Sequence, residues 1–257
     1  MNAKPISLQL YTLREASAKD FPAVIRAVGD IGYKGVEPAG FFGLKPRELR
    51  KLVEDQGMVI SSSHGPKASP DNLPEVIETA GELGLDLVSG GFGPEAFKDM
   101  ATIRATAEKV NLMGERLRAA GLILFLHNHW WEFETIDGRL KYDVLAELAP
   151  NVSFELDIYW AANFGAVDPA AVLKRHARRV PLLHVKDGPL VKDKPMVAVG
   201  SGKMSFRPIL AAADPAVLRW LVVELDDCAT DMLQAVKQSY DWLVGRGMAT
   251  GRKPPSG

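Results

Sequence analysis

The sequence predicts a single-domain α/β protein of the (β/α)8 TIM-barrel class. Eight short apolar runs alternate with longer helix-period segments, no run leads into a hairpin turn, and polar residues gather at the trailing ends of the runs. The 257-residue length matches the roughly 250 residues of one such barrel.

The first candidate strand, Ile6 to Tyr11, is followed by Thr12-Leu13-Arg14-Glu15 rather than a G-x-G-x-x-G turn, and then by a helix over Phe21 to Ile31. Gly35 to Glu37 precedes a helix over Pro46 to Gln56, and Val59 to Ser63 precedes one over Leu73 to Leu83. Leu85 to Ser89 runs into Gly90-Gly91-Phe92-Gly93, read as a flexible active-site loop, before a helix over Ile103 to Ala120. Leu122 to His127 pairs with a helix over Tyr142 to Leu148, and Val152 to Asp157 with one over Pro169 to Arg178, where Asp168 supplies the N-cap and Pro169 the first helical residue. Pro181 to Val185 and Trp220 to Glu224 are followed by helices over Phe206 to Ala212 and Met232 to Val244. Gly32, Gly57, Gly84 and Gly121 stand where a helix would end in a left-handed residue and a strand begin. Eight strands can close a barrel, whereas an open doubly wound sheet usually has fewer. The barrel is expected over residues 1–244. From Gly245 to residue 257 a Gly/Pro-rich, basic tail is expected to stay flexible and outside the fold.

With 47% hydrophobic and 25% charged residues the chain has an ordinary soluble composition, and a formal net charge of -1 gives no reason to expect nucleic acid or an anionic membrane as partner. The single cysteine, Cys228, excludes an intrachain disulfide and a thiolate zinc site, so any metal must be held by His and carboxylates. With no signal-peptide pattern and no long apolar span, a cytoplasmic protein is expected, and a homo-oligomer stays open.

In a barrel, catalytic groups sit at the C-terminal ends of the strands. Here those ends carry Gln9 and Tyr11, Glu37, His64, His127-Asn128-His129, Glu155 and Asp157, His184, Lys186 and Asp187, and Glu224, Asp226 and Asp227. Alternation along a strand lets His127 with His129, Glu155 with Asp157, His184 with Lys186, and Glu224 with Asp226 point inward as pairs. Any one of them could be a solvated strand-end group. Together they carry a desolvation cost that a bound cation would offset. Carboxylates and imidazoles without sulfur suit Mn, favoured here, or Co, Mg or Zn.

These segments carry a resemblance. GYKGVEP, LHNHWWEFE, FELDIYWAANFGAVDP, PLLHVKDG, VGSGKMSF and WLVVELD resemble the sugar phosphate isomerase/epimerase superfamily, the xylose isomerase-like TIM barrels with inosose dehydratase-like and endonuclease-IV-like members, up to about Val244. The resemblance implies one divalent metal ion held by Asp157, His184, Glu224 and a strand-five carboxylate. His127 stands where that carboxylate is usual, with Glu132 the nearest replacement and His127 or His129 the alternatives. It implies further that Glu37, His127, His129 and Lys186 do the catalytic work, and that Tyr11, His64, Asn128 and Trp160 bind substrate, with Trp130, Trp131 and Trp160 as an apolar wall. The implied enzyme is a metal-dependent isomerase, epimerase or dehydratase. It would abstract a proton next to a carbonyl of a small sugar, keto-sugar or cyclitol through a metal-held enediolate. A keto-glycoside lyase or hydrolase is the alternative enzyme and a sugar-binding barrel the non-catalytic one. Gly200-Ser201-Gly202-Lys203 offers a single lysine, which points to a neutral rather than a phosphorylated substrate.

Overall fold

In the computed structural model, which describes residues 3–255, the eight expected strands are present and parallel. They are β1 (Lys4–Gln9), β2 (Gly35–Glu37), β3 (Val59–Ile60), β4 (Leu87–Gly90), β5 (Ile123–His127), β6 (Ser153–Asp157), β7 (Leu182–Val185) and β8 (Trp220–Val223). Their hydrogen-bonded order is β3-β2-β1-β8-β7-β6-β5-β4, so the first and last strands of the barrel are neighbours and the sheet curls round. Among the described residues no ladder joins β3 to β4. There the Ala68 N–H donates to Ser89 O over 2.7 Å and ties the segment after β3 to β4.

Among the described residues, eight α-helices of six residues or more follow the strands: α1 (Arg14–Ile31), α2 (Pro46–Glu54), α3 (Leu73–Leu83), α4 (Met100–Ala119), α5 (Lys141–Leu148), α6 (Pro169–His176), α7 (Phe206–Ala211) and α8 (Met232–Gly245). α1 starts earlier than the sequence suggests. Asp20 breaks it with φ -152° and ψ 85°, and its carboxylate accepts from Ala23 N at 2.9 Å, capping the half that begins at Phe21. One hairpin was not expected: Thr135–Ile136 pairs with Arg139–Leu140. Its turn is Asp137-Gly138, both at positive φ (49° and 74°), the dipeptide that two-residue hairpins favour.

The barrel interior is layered. Leu87, Phe125 and Leu182, with Trp220 against them, form an apolar plug separate from the main core between sheet and helices. Gly35 leaves room for this plug, because a Cβ there would lie 3.1 Å from Trp220 Cζ3. Two residues further along β5 and β7, the same inward face carries His127 and His184 in place of Phe125 and Leu182. The period of two thus puts a charged layer directly above an apolar one.

The tail departs from expectation. Ala249 and Thr250 pair in parallel with Lys4 and Pro5 of β1. Arg252 N donates to Gly32 O at 2.8 Å, Tyr240 OH donates to Lys253 O at 2.5 Å, and Lys253 Nζ donates to Asp30 O at 2.7 Å. Composition argued against burial of apolar surface, but the tail is held through backbone hydrogen bonds, which composition does not register. Its last two residues lie outside the described ones. Truncation after Met248 is expected to lower unfolding free energy by at least about 1 kcal/mol, from these hydrogen bonds alone. Urea denaturation measures it, and an unchanged midpoint would show that the tail does not support the barrel.

Candidate active site

The charged layer at the barrel mouth divides into two halves that share His184. In the first half each carboxylate holds a hydrogen bond. Gln9 Nε2 donates to Glu37 Oε1 at 2.6 Å, Ser62 Oγ donates to Glu37 Oε2, and His64 Nε2 lies 2.5 Å from Glu155 Oε2. His184 Nε2 is 2.8 Å from Glu37 Oε1 and 3.2 Å from Glu155 Oε1. Burial, then the neighbouring Glu155 carboxylate, raise the Glu37 pKa. Burial alone would also raise that of Glu155, but His184 and His64 outweigh it and hold it well below the usual range. For His64, burial favours the neutral ring, yet Glu37 and Glu155 together raise its pKa.

The second half is different. His127 Nε2, Asp157 Oδ2, His184 Nδ1 and Glu224 Oε2 are buried atoms with no hydrogen-bond partner among the described residues, and these four residues present ligand atoms within 4.8 Å of one another. Buried polar atoms left unpaired are costly. These four stand in ion-pair contact with one another and with Lys186 but lack aligned hydrogen bonds, and as two imidazole nitrogens and two carboxylate oxygens close together they make a donor set that fits a divalent first-row cation. Burial, followed by repulsion from His184 and His64, keeps His127 neutral and so able to ligate. Glu37 fixes the ring of His184 from behind, the arrangement by which a supporting carboxylate orients a ligating histidine.

Of the four metal ligands expected from sequence, the structure gathers Asp157, His184 and Glu224. Glu132 stands apart. A short helical turn at Trp131–Phe133 folds its carboxylate back onto His129 N at 2.9 Å, and burial raises its pKa to about 8. The residue that lies with those three is His127, one of the open alternatives. His129 stacks on Trp131 with centroids 4.2 Å apart, and burial lowers its pKa to about 3, which makes it a poor proton carrier.

Asn128, expected to meet substrate, points away from the His127 face. Its side chain donates to Asp157 O at 3.1 Å and accepts from Asp157 N at 3.0 Å, bridging the ends of β5 and β6. Asp157 in turn accepts from Tyr159 N and Trp160 N through Oδ1 and leaves Oδ2 free of hydrogen bonds. Tyr11 is 43% exposed at the rim, its ring against Arg14 rather than the charged layer. Trp160 is half-buried and donates from Nε1 to Asp226 Oδ2 at 3.2 Å. Lys186, 1% exposed, pairs with Asp157, Glu224 and Asp226 rather than with Asp187 or Glu155.

Asp187 acts on the loop that follows it, where its carboxylate accepts from the backbone N–H groups of Gly188, Gly200, Gly202 and Met204 at 2.8–3.1 Å. These backbone donors of the loop are therefore spent. A Cβ on Gly202 would meet Asp187 Oδ1 at 2.1 Å, so only glycine fits there.

Beside the charged layer opens a cleft with about 560 Å³ of empty space, lined by His64, His127, His129, Trp131, Lys67 and the Gly90–Gly93 loop. Glu155, like Gln9, Ser62 and Asp226, is a residue of this layer to which the sequence assigned no role. Its spacing from Asp157 marked it as inward-facing, and its partnership with His64 shows only in three dimensions.

The family profile described as xylose isomerase-like TIM barrel matches residues 25–245. No curated protein matches the chain. Among solved structures, the chain is similar to a sugar phosphate isomerase/epimerase from Parabacteroides distasonis, with 25% identity and a TM-score of 0.79 over 98% of this chain and 96% of that one. It shares its fold with an L-ribulose 3-epimerase, at 18% identity and TM-score 0.69 over 95% and 94% of the two chains. It shares it also with the probable 3-DHS dehydratase AsbF from Bacillus anthracis, at 12% identity and TM-score 0.71 over 93% and 98%.

The placement of Glu132 has a pH signature. An unfolded glutamate titrates near 4.5, against about 8 in the fold, so its ionisation opposes folding. The penalty is absent below about pH 4.5, grows from there to about pH 8 and is constant above. Glu132→Gln should therefore gain stability over the wild type progressively across that window, by up to a few kcal/mol, with metal content unchanged. A pH-independent difference, or loss of metal, would return Glu132 to the ligand set.

Proposed function

The chain belongs to the xylose isomerase-like TIM barrel family, and from that premise we propose a metal-dependent isomerase, epimerase or dehydratase that moves a proton next to a carbonyl of a small sugar, keto-sugar or cyclitol. One observation carries the reading: four buried ligand atoms without hydrogen-bond partners, from His127, Asp157, His184 and Glu224, converge at the barrel mouth. The sugar epimerase and dehydratase activities printed for proteins of the same fold support it.

These four residues would hold the cation, with Mn favoured over Co, Mg or Zn. When bound, such an ion supplies Lewis acidity to neighbouring carbonyl and hydroxyl oxygens. The protein's own groups do the rest. Trp131 and His129, stacked face to face, offer an aromatic wall to the C–H face of a sugar ring. His64 lines the cleft with Nε2 2.5 Å from the Glu155 carboxylate, which suits it to donate and recover the proton of the reaction. In this reading His64 takes the proton-transfer role that the sequence suggested for His127 and His129. His127 becomes a ligand, His129 part of the wall, and Glu37 the support of His184.

Two variants separate these roles. Asp157→Asn keeps an oxygen for the Tyr159 and Trp160 N–H groups but removes the charge at Oδ2. It should lose the metal while its circular dichroism spectrum stays that of the wild type. His64→Asn should keep the metal and slow incorporation of deuterium from heavy water into keto-sugars and inososes by about 100-fold or more. Exchange at the wild-type rate in His64→Asn would remove His64 from proton transfer. No exchange by the metal-loaded wild type with any such substrate would remove the proposed reaction class.

A further inference from the structure

We propose that Lys186 is an internal cation that competes with the metal ion for Asp157 and Glu224, and that Asp226 is the counter-ion which retains the displaced ammonium. The inference rests on the metal reading of the site above.

Lys186 Nζ lies 3.0 Å from Asp157 Oδ2 and 2.7 Å from Glu224 Oε2. These are two of the four atoms that face the cation position and lack a hydrogen-bond partner. The ammonium thus neutralises the ligand oxygens by charge alone. Its aligned hydrogen bond goes elsewhere, to Asp226 Oδ2 at 2.7 Å.

A divalent ion bonds carboxylate oxygen at about 2.0–2.2 Å. An ammonium in contact with the same two oxygens draws on their charge and repels the incoming ion across a desolvated site, so each cation weakens the hold of the other. Binding of the ion therefore favours withdrawal of the ammonium. Lysine, a point charge on a flexible four-carbon stem, can withdraw without breaking the backbone.

The withdrawal has a destination. The Asp226 side chain is 34% exposed and its Oδ2 also accepts from Trp160 Nε1, while the Trp160 ring lies 5.5 Å from Lys186 Nζ. The ammonium can therefore leave Asp157 and Glu224 while keeping its hydrogen bond to Asp226 and its place over an aromatic face. In the metal-free protein the same side chain balances carboxylates that would otherwise be buried unpaired, so the barrel mouth holds its shape before the ion arrives.

Calorimetric titration of the chelated protein with Mn2+ tests this in the wild type, Lys186→Met and Asp226→Asn. Methionine keeps the unbranched stem, one atom shorter, and removes the charge, so affinity should tighten by about tenfold or more. Asp226→Asn removes the alternative partner and should weaken binding several-fold. Metal-free Lys186→Met should melt below the metal-free wild type and recover on adding Mn2+. A wild type that binds Mn2+ while Lys186→Met binds it no more tightly overturns the competition and leaves the metal site standing. No binding by any of the three overturns both. If metal-free Lys186→Met does not fold, Asp226→Asn decides alone, and an unchanged affinity there overturns the proposal.

Discussion

Charge taken out of water has to be balanced where it lies, and the mouth of this barrel is arranged around that requirement. Glu37, Glu155, Asp157 and Glu224 are each 5% exposed or less, and His64, His184 and Lys186 are threaded among them. For each of these three groups the carboxylates outweigh the pull of burial and raise the pKa, and for His184 to ligate through Nδ1 the proton on that nitrogen has to leave. The balance is uneven in space. Glu37 is hydrogen-bonded through both oxygens to Gln9, Ser62 and His184, and Glu155 through Oε2 to His64, whereas Glu155 Oε1 and the inward oxygens of Asp157 and Glu224 are neutralised by neighbouring charge without hydrogen bonding. His184 spans the two, with Nε2 on the bonded half and Nδ1 on the open one.

The rest of the barrel serves this layer. The plug of Leu87, Phe125 and Leu182 closes the barrel beneath it. Asn128 locks the ends of β5 and β6 together so that Asp157 presents Oδ2 inward. Asp187 pins the 200–204 loop, which leaves Lys186 as the member of its strand end free to face the carboxylates. The proposed chemistry needs a cation and a proton carrier side by side, and the residues assigned to both lie within one ring of strand ends, the placement expected of this fold.

Much of this was legible in the sequence because a strand has a period of two. His184 with Lys186, Glu155 with Asp157, and the position of His127 above Phe125 all follow from alternation once the strands are placed. What alternation does not give is the path of the chain after a strand ends. Glu132 follows the HNH run closely enough to suggest a ligand, but a helical turn at Trp131–Phe133 directs it back to the His129 N–H. Asn128 sits between two inward histidines, and its opposite orientation is the same alternation overlooked. The Asp137-Gly138 hairpin carried its signal openly, whereas the docking of the tail on β1 did not. Backbone pairing of a Gly/Pro-rich segment leaves no mark in hydrophobicity.

Metal content is the most direct measurement. Elemental analysis of protein purified without added metal, before and after chelation and with thermal unfolding followed in parallel, asks whether the open half of the layer holds an ion. A stoichiometric divalent metal, Mn foremost, whose removal lowers the melting temperature is the result the proposed site requires. Protein free of metal whose melting temperature does not respond to added Mn, Co, Mg or Zn would contradict it.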